Sequence, residues 1–207
     1  MLSIEVLTGF FATAIILSLV PGPDNIFVLT QSAIEGHLAG IVVTLGLMTG
    51  LLLHTAAVAF GVAVIFQTSI IAFTILKMCG VAYLLYLAWG AFRTSASRIS
   101  IKGKSIGLGR LYRRGIIMNI TNPKVSIFFL AFLPQFVDPN VGDVTYQIIS
   151  LGIIFIVATL IVFGSVALLS GIIGKRLKES DKAQILLNRI AGTVFLALAL
   201  KLAITEK

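Results

Sequence analysis

Charged residues are scarce in this sequence. Only 12% of its 207 residues are Asp, Glu, Lys or Arg and 58% are hydrophobic, whereas about a quarter of a typical soluble domain is charged. A soluble core of this length cannot bury so much apolar surface, so lipid must solvate much of the chain. In the first 92 residues, the only ionisable acids and bases besides two histidines are Glu5, Asp24, Glu35 and Lys77.

Cysteine and catalytic motifs are also nearly absent. The single cysteine, Cys79, cannot form an intramolecular disulfide, which excludes a membrane carrier that works through a reactive cysteine pair. The sequence has no HExxH motif and no paired aspartates within its apolar runs. Because a nucleophile with its base and a metal constellation are both missing from the pattern, the sequence indicates no enzyme, cofactor or metal.

The basic residues lie in a few short segments. The net charge of +8 is compatible with nucleic-acid binding, but aromatic residues are not interleaved with the basic ones, which flank long apolar runs. Lys and Arg in such connections are typical of the cytoplasmic side of a membrane protein, so we expect no nucleic-acid partner. The first connection carries Arg93, Arg98, Lys102, Lys104, Arg110, Arg113 and Arg114, and the second carries Lys175, Arg176, Lys178, Lys182 and Arg189.

Six apolar runs are long enough to cross a bilayer, which takes about 20 residues. They predict an all-α, polytopic membrane protein with six transmembrane helices in one domain, residues 1–207. The first run lacks the basic region that precedes a cleaved signal peptide, so we expect it to be retained. The runs are Val6–Thr30, Leu38–Phe66, Ser69–Phe92, Gly115–Phe136, Tyr146–Ile173 and Arg189–Ile204.

The connection between the fourth and fifth runs has the character of an outer loop. It has no basic residue and contains Asp138, Pro139, Asn140, Gly142 and Asp143. An even number of helices with both basic connections in the cytoplasm places both termini outside. The expected location is therefore the inner (plasma) membrane, with several passes.

Two sequence patterns that each occur twice indicate a duplicated unit. The pattern basic-x-x-Gly-x-x-aromatic-Leu begins at Lys77 and again at Arg189, where it opens the third and sixth helices. A proline followed by a charged residue interrupts the first and fourth runs. The two copies, about 1–92 and about 105–207, are joined by a basic cytoplasmic loop at about 93–114. Since each copy has three spans, the second is predicted to be inverted relative to the first, an arrangement typical of secondary transporters.

The helix breaks are the strongest candidates for a functional site. Pro21, Gly22 and Pro23 interrupt the first run, and Pro123 interrupts the fourth. Proline removes a backbone donor, and the freed groups are tolerated at membrane depth where they face protein or a wet cavity. In transporters built from inverted repeats, substrate sites lie near the midplane where such broken helices meet.

Polar side chains follow each break. Asp24 and Asn25 fall in the first turn of one half-helix, where the helix dipole favours a carboxylate. Lys124 falls in the first turn of the other, with Asn122 or Thr121 as its cap, and opposes the dipole there. A partner is therefore expected for Lys124, either Asp24 or a substrate carboxylate.

Two interpretations of these residues remain open. Asp24, Asn25, Asn122 and Lys124 are candidates for substrate binding, but an Asp24–Lys124 pair could instead lock the two halves together. Asp24 and His54 are candidates for proton coupling. His54 fits equally well as a neutral imidazole bonded to a backbone carbonyl.

Several motifs together resemble the LysE/RhtB family of amino-acid exporters. They are Pro21–Asp24, a glycine-rich second helix that ends in His54, Asn122–Lys124 and Leu133–Phe136. The likeness extends over nearly the whole chain, including its length, its helix count and its basic third connection. It implies efflux, driven by the proton motive force, of amino acids or derivatives such as homoserine, threonine, leucine, lysine or homoserine lactones.

The alternative is an oligomeric channel, or a carrier for another small solute or ion. A channel needs a ring of filter residues, which a chain of 207 residues supplies only as an oligomer. The expected partners are an amino acid or derivative, protons and membrane lipid. The sequence leaves open the transported solute, the coupling ion and the oligomeric state, including a homo-oligomer.

The two basic connections generate a test of topology. In a Cys79→Ser background, cysteines introduced near Lys104 and near Lys178 should react with an impermeant thiol reagent from the cytoplasm only. A cysteine near Asn140 should react from outside only. Labelling of the Asn140 position from the cytoplasm would overturn both the orientation and the inverted repeat.

Overall fold

A computed structural model describes residues 2–62, 70–94, 106–170, 172 and 181–204, and all regular elements in these ranges are helical. Helix α3 continues as a π-helical turn, Val58–Val62, and α6 continues as a π turn, Phe128–Phe132, and a 3-10 turn, Leu133–Phe136. The α-helices are α1 Ile4–Leu19, α2 Pro23–Glu35, α3 His37–Ala57, α4 Ile70–Arg93, α5 Leu108–Thr121, α6 Pro123–Ile127, α7 Val144–Leu168 and α8 Asp181–Ile204.

The described helices confirm an all-α, polytopic membrane protein. Four of them, α3, α4, α7 and α8, are each long and apolar enough to cross a bilayer. The α1–α2 pair is bent by 61° at its break, and α5 is bent by 51° relative to the helix that starts at Pro123. If each bent pair counts as one span, the number of spans is six. The breaks fall in the first and fourth spans, as the prolines predicted.

Two predicted helix starts were wrong. The fourth span begins at Leu108 and not at Gly115, so the three arginines assigned to the preceding loop, Arg110, Arg113 and Arg114, lie on α5. An amphipathic helix can extend past the apolar run, because the long side chains of Arg and Lys keep their charged groups near the membrane surface. The sixth span likewise begins at Asp181, which places Lys182 in its first turn. Of the other basic loop residues, Arg98, Lys102, Lys104, Lys175, Arg176 and Lys178 lie outside the described residues.

The repeated pattern lies deeper in its helices than expected. Lys77 and Arg189 do not open α4 and α8 but lie about two turns inside them. The two pattern glycines are contact points between these helices. A Cβ on Gly80 would meet Leu202 at 3.1 Å, and a Cβ on Gly192 would meet the Phe92 ring at 2.8 Å. Both pattern glycines thus lie at the contact between α4 and α8, which run antiparallel, and Gly80 also faces Ala131.

Small residues also bring α3 against α5. A Cβ on Gly115 would lie 2.5 Å from the carbonyl oxygen of Val43, and one on Gly50 would lie 2.6 Å from the Asn119 side chain. Such close backbone approach is typical of helix packing in membranes. Helix α1 packs against α7, where the Ser18 and Thr159 hydroxyls are 3.1 Å apart.

The α3–α5 contact generates a stability prediction. Gly46→Ala adds a methyl group that collides with the backbone carbonyl of Tyr112, so we expect a loss of about 1–3 kcal/mol. A Cβ at Gly164 in α7 meets nothing within 4 Å. Because alanine is the better helix former, Gly164→Ala should be neutral or stabilising by up to about 1 kcal/mol. Thermal unfolding of both purified variants in detergent measures the difference, and equal melting temperatures would contradict this packing.

Candidate functional site

The first break leaves backbone carbonyls of α1 without their usual donors. In a continuous helix the Leu17 carbonyl would accept from residue 21, which is a proline and has no N–H. The Lys124 ammonium replaces the missing donor: its Nζ donates to the carbonyl oxygens of Val20 at 3.1 Å and Leu17 at 3.4 Å. Asn25 Nδ2 donates to the Ser18 carbonyl at 2.7 Å. Side chains from both halves therefore donate hydrogen bonds to the carbonyl oxygens at the C-terminal end of α1.

At the second break, a backbone carbonyl also lacks its usual donor and has other partners. The Asn119 carbonyl would accept from residue 123, which is again a proline. It accepts instead from the Asn122 N–H at 3.1 Å and lies 3.3 Å from His54 Nε2. Asn122 caps α6, because its Oδ1 accepts from the Lys124 N–H at 3.1 Å. Of the two caps that the sequence suggested, the structure has Asn122, whereas the Thr121 hydroxyl donates back to Ile117.

Asp24 lies between the two breaks and is almost completely buried, with 2% of its surface exposed. Its Oδ2 accepts from Asn122 Nδ2 at 2.9 Å. Its Oδ1 is buried and has no hydrogen-bond partner. The Asn119 side chain lies beside the same carboxylate, and Lys124 and His54 are close enough to interact with it electrostatically. The carboxylate is therefore held through Oδ2, while Oδ1 is buried beside Asn119.

Of the two partners that the sequence left open for Lys124, Asp24 and a substrate carboxylate, the structure shows no direct contact with Asp24. Both side chains are described, and no contact within the 4.0 Å ion-pair limit joins them. At the break, the carbonyls at the C-terminal end of α1 accept hydrogen bonds from this ammonium, and the helix dipole favours a cation there. Gly22 leaves room for this arrangement, because a Cβ there would lie 3.2 Å from Lys124 Nζ.

The unpartnered buried side-chain atoms in the described residues are all acceptors. Three belong to residues at or beside the breaks, Asp24 Oδ1, Asn25 Oδ1 and Asn119 Oδ1, and the fourth is Gln31 Oε1, further along α2. An excess of buried acceptors is costly unless a donor arrives to bind them. The arrangement can therefore hold a ligand that donates hydrogen bonds.

The sequence-predicted residues are thus brought together at one place. Asp24, Asn25, Asn122 and Lys124 converge where the two breaks meet, and His54 contacts the second break from α3. The His54 geometry is that of an imidazole bonded to a backbone carbonyl, one of the two interpretations that the sequence left open.

Two polar residues of α3 have roles in helix packing. Thr44 donates to the Gly40 carbonyl within its own helix, and the hydroxyl of half-buried Thr49 lies 2.7 Å from that of Tyr112. Neither side chain bonds to a residue at the breaks. In the described residues no group of three or more His, Cys, Asp or Glu side chains could hold a metal ion.

Sequence reasoning missed an aromatic cluster beside the site. The Phe128 ring lies 5.0 Å from Phe155 of α7 and 5.1 Å from Phe132, and the Phe129 ring lies 5.6 Å from the imidazole of His54. These phenylalanines are buried, and three of them, Phe128, Phe129 and Phe132, follow Lys124 within about two helical turns. The signal was available in the spacing of phenylalanines after Pro123, which repeats at helical intervals.

Comparison with known proteins relates nearly the whole chain to one family. Residues 15–206 match the family model described as LysE type translocator. A homoserine/homoserine lactone efflux protein of Salmonella typhimurium is 33% identical over 196 residues, 94% of either chain. The protein of the same name from Salmonella typhi is 34% identical over the same share. An uncharacterized membrane protein of Vibrio cholerae is 28% identical over 98% of both chains. No solved structure matches the chain significantly.

The contacts of Lys124 generate a prediction about stability. Lys124→Met keeps the length of the side chain but leaves the Leu17 and Val20 carbonyls without their donor, so we expect a loss of about 1–3 kcal/mol. The control is Lys182→Met, because Lys182 is exposed at the start of α8, and its effect should stay within about 0.5 kcal/mol. Thermal unfolding of the purified variants gives both values. A Lys124→Met variant as stable as the control would show that the ammonium does not hold the broken helix.

Proposed function

Because the chain belongs to the family of LysE type translocators, we propose that it is a secondary active transporter that exports amino acids or small amino-acid derivatives. The export direction and the solute class are supported by two relatives named as homoserine/homoserine lactone efflux proteins. We place the protein in the inner membrane, with both termini outside, and propose the proton motive force as its energy source.

The substrate site in this proposal lies where the two broken helices meet. The observation that carries it is the burial of two charged side chains, Asp24 and Lys124, at 2% and 9% exposure within apolar spans. Intramembrane charges are expensive and usually mark solute or proton pathways. We assign substrate binding to Asp24, Asn25, Asn122 and Lys124, with Lys124 also holding the end of α1.

An inverted duplication is also part of the proposal. Its support comes from the packing: α5 lies beside α3 as α1 lies beside α7, while α4 and α8 contact each other through their repeated glycines. The broken helix of each half thus packs on the second span of the other. Such an arrangement allows one half to rock against the other around a fixed central site, which gives alternating access.

Asp24 is the proposed coupling residue. A buried carboxylate with one free oxygen can bind either a proton or a cationic group of the substrate, but not both at that atom. Because the proton and the substrate compete for the same oxygen, the transporter can exchange one for the other without a separate proton site. His54 is the second candidate, since its ring contacts the Asn119 carbonyl at the neighbouring break.

Proteoliposomes test the proposed class of protein. A carrier saturates with increasing homoserine concentration and accelerates uptake of labelled homoserine when unlabelled homoserine is present on the other side. A channel does neither. Absence of both transport and exchange for a panel of amino acids would contradict the proposal.

The coupling role predicts a selective defect. Asp24→Asn removes the titratable group but keeps an acceptor oxygen, so proton-driven uphill efflux should be abolished while some substrate exchange remains. The control is Asp181→Asn, because Asp181 is exposed in the first turn of α8, and it should transport like the unmodified protein. Undiminished proton-driven efflux in Asp24→Asn would move the coupling role to His54 or elsewhere.

A further inference from the structure

We propose that a cluster of phenylalanine rings forms the outer gate of the transport path, and that the gate is closed in this structure. The inference rests on the proposed function and on its orientation, with the start of α1 outside. It adds the element that opens and closes one end of the path. The rings, called the aromatic gate below, belong to Phe10, Phe128, Phe132, Phe136 and Phe155.

The aromatic gate lies directly beside the proposed substrate site. Phe128 is one helical turn after Lys124, because its N–H donates to the Lys124 carbonyl. On α1, Phe10 lies about two turns before Leu17, and both side chains are buried, at 0% and 1% exposure. Lys124 Nζ donates to the Leu17 carbonyl. A solute that leaves the breaks towards the start of α1 would therefore meet these rings first.

The rings close the seam between the two halves of the chain. The first half contributes Phe10, and the second half contributes the other four rings from α6, its continuing turns and α7. The Phe10 ring packs edge-on against Phe136, with 5.0 Å between centroids. It also lies 5.9 Å from Phe128 and 6.4 Å from Phe155. Such ring pairs attract each other. Rocking of one half against the other would separate Phe10 from the other rings and open the seam.

The half-helix that follows the first break carries smaller side chains at the matching positions. Aligning the two halves at Pro23 and Pro123 pairs Phe128, Phe132 and Phe136 with Val28, Ser32 and Gly36, and it pairs Phe10 with Arg110. In an inverted repeat, these positions lie towards the inner end of the path. We therefore expect the site to be reached from the inner end in this structure. The half-burial of Gly22 and Asn25 at the first break agrees with this expectation.

Two π-helical turns provide a hinge for the gate. Phe128–Phe132 is one of them, and it contacts the other, Val58–Val62, at the end of α3. One turn belongs to each half. Single π turns inside α-helices are rare and are frequent at functional sites. Because a π turn has one more residue in each hydrogen-bonded ring than an α turn, a change between the two forms would rotate Phe132 and Phe136 relative to Phe10.

A cysteine at Gly22 reports which side of the membrane reaches the site. A Cβ at this position would lie 3.2 Å from Lys124 Nζ, the flexible end of a long side chain that can move aside. The experiment uses Gly22→Cys in a Cys79→Ser background, in sealed membrane vesicles of both orientations. A small impermeant thiol reagent should modify this thiol from the cytoplasmic side and not from outside.

Phe10→Ala removes the ring that the first half contributes to the gate. The Gly22→Cys thiol should then react from outside roughly tenfold faster or more, because the lost ring pairs stabilised the closed state and its population shifts accordingly. Its reaction from the cytoplasmic side should not change. The matched control is Phe11→Ala, the neighbouring residue of α1, which is 36% exposed. This variant should leave both rates unchanged.

Two outcomes would overturn the gate. One is an equal rate from outside in the Phe10→Ala and Phe11→Ala variants. The other is reaction from outside, with all five rings present, as fast as reaction from the cytoplasm. The expected pattern with the two sides exchanged would support the gate at this end of the path and would overturn the orientation of the chain.

A second variant decides the question if Phe10→Ala does not fold. Phe10→Cys and Phe136→Cys replace two rings that contact each other across the seam, and a short bifunctional reagent joins the thiols through two disulfides. The joined protein should lose exchange of labelled homoserine, and reduction should restore it, because a locked gate cannot open. Undiminished exchange by the joined protein would overturn the gate. If homoserine and other amino acids are not exchanged even before joining, the proposed function fails, and the labelling rates decide the gate alone.

Discussion

A proline inside a membrane-spanning helix leaves a carbonyl oxygen without a donor, and lipid cannot supply one. Most features of the site follow from this constraint. Pro21 orphans the carbonyl of Leu17, and the structure satisfies it with the ammonium of Lys124, which belongs to the other half of the chain. Pro123 orphans the carbonyl of Asn119, which lies within reach of His54 from α3. Each break is thus completed by a residue from the opposite half.

The completion of each break by a residue from the opposite half also determines the chemistry of the site. Lys124 and the amide of Asn25 donate to α1, and Asn122 donates to Asp24, so these three side chains are engaged at the breaks. Acceptor oxygens are in excess, and the most deeply buried ones belong to Asp24 and Asn119. A proton or a substrate ammonium can satisfy the same carboxylate oxygen. In the proposed exporter, the proline breaks engage the nearby donors. The same carboxylate oxygen is then left for the substrate ammonium in transport and for the proton in coupling.

Much of this architecture could be predicted from the sequence. The apolar runs predicted the spans, and Pro21, Pro23 and Pro123 predicted breaks in the first and fourth, because proline acts through local geometry. The start of α5 could not be placed this way, since an amphipathic turn with Arg110 and Arg113 has no apolar signal. Charge alone suggested Asp24 or a substrate carboxylate as the partner of Lys124. The backbone carbonyls of Leu17 and Val20 could not be predicted from the sequence, because they contact Lys124 only where the packed structure brings α6 against the end of α1.

An experimental structure with homoserine bound, determined in lipid, tests the central claim most directly. The account predicts a ligand between the two breaks, with its nitrogen within about 3 Å of Asp24 Oδ1 and with Lys124 Nζ still bonded to the carbonyls of Leu17 and Val20. A ligand whose carboxylate binds Lys124 Nζ, after those carbonyls have been released, would contradict it.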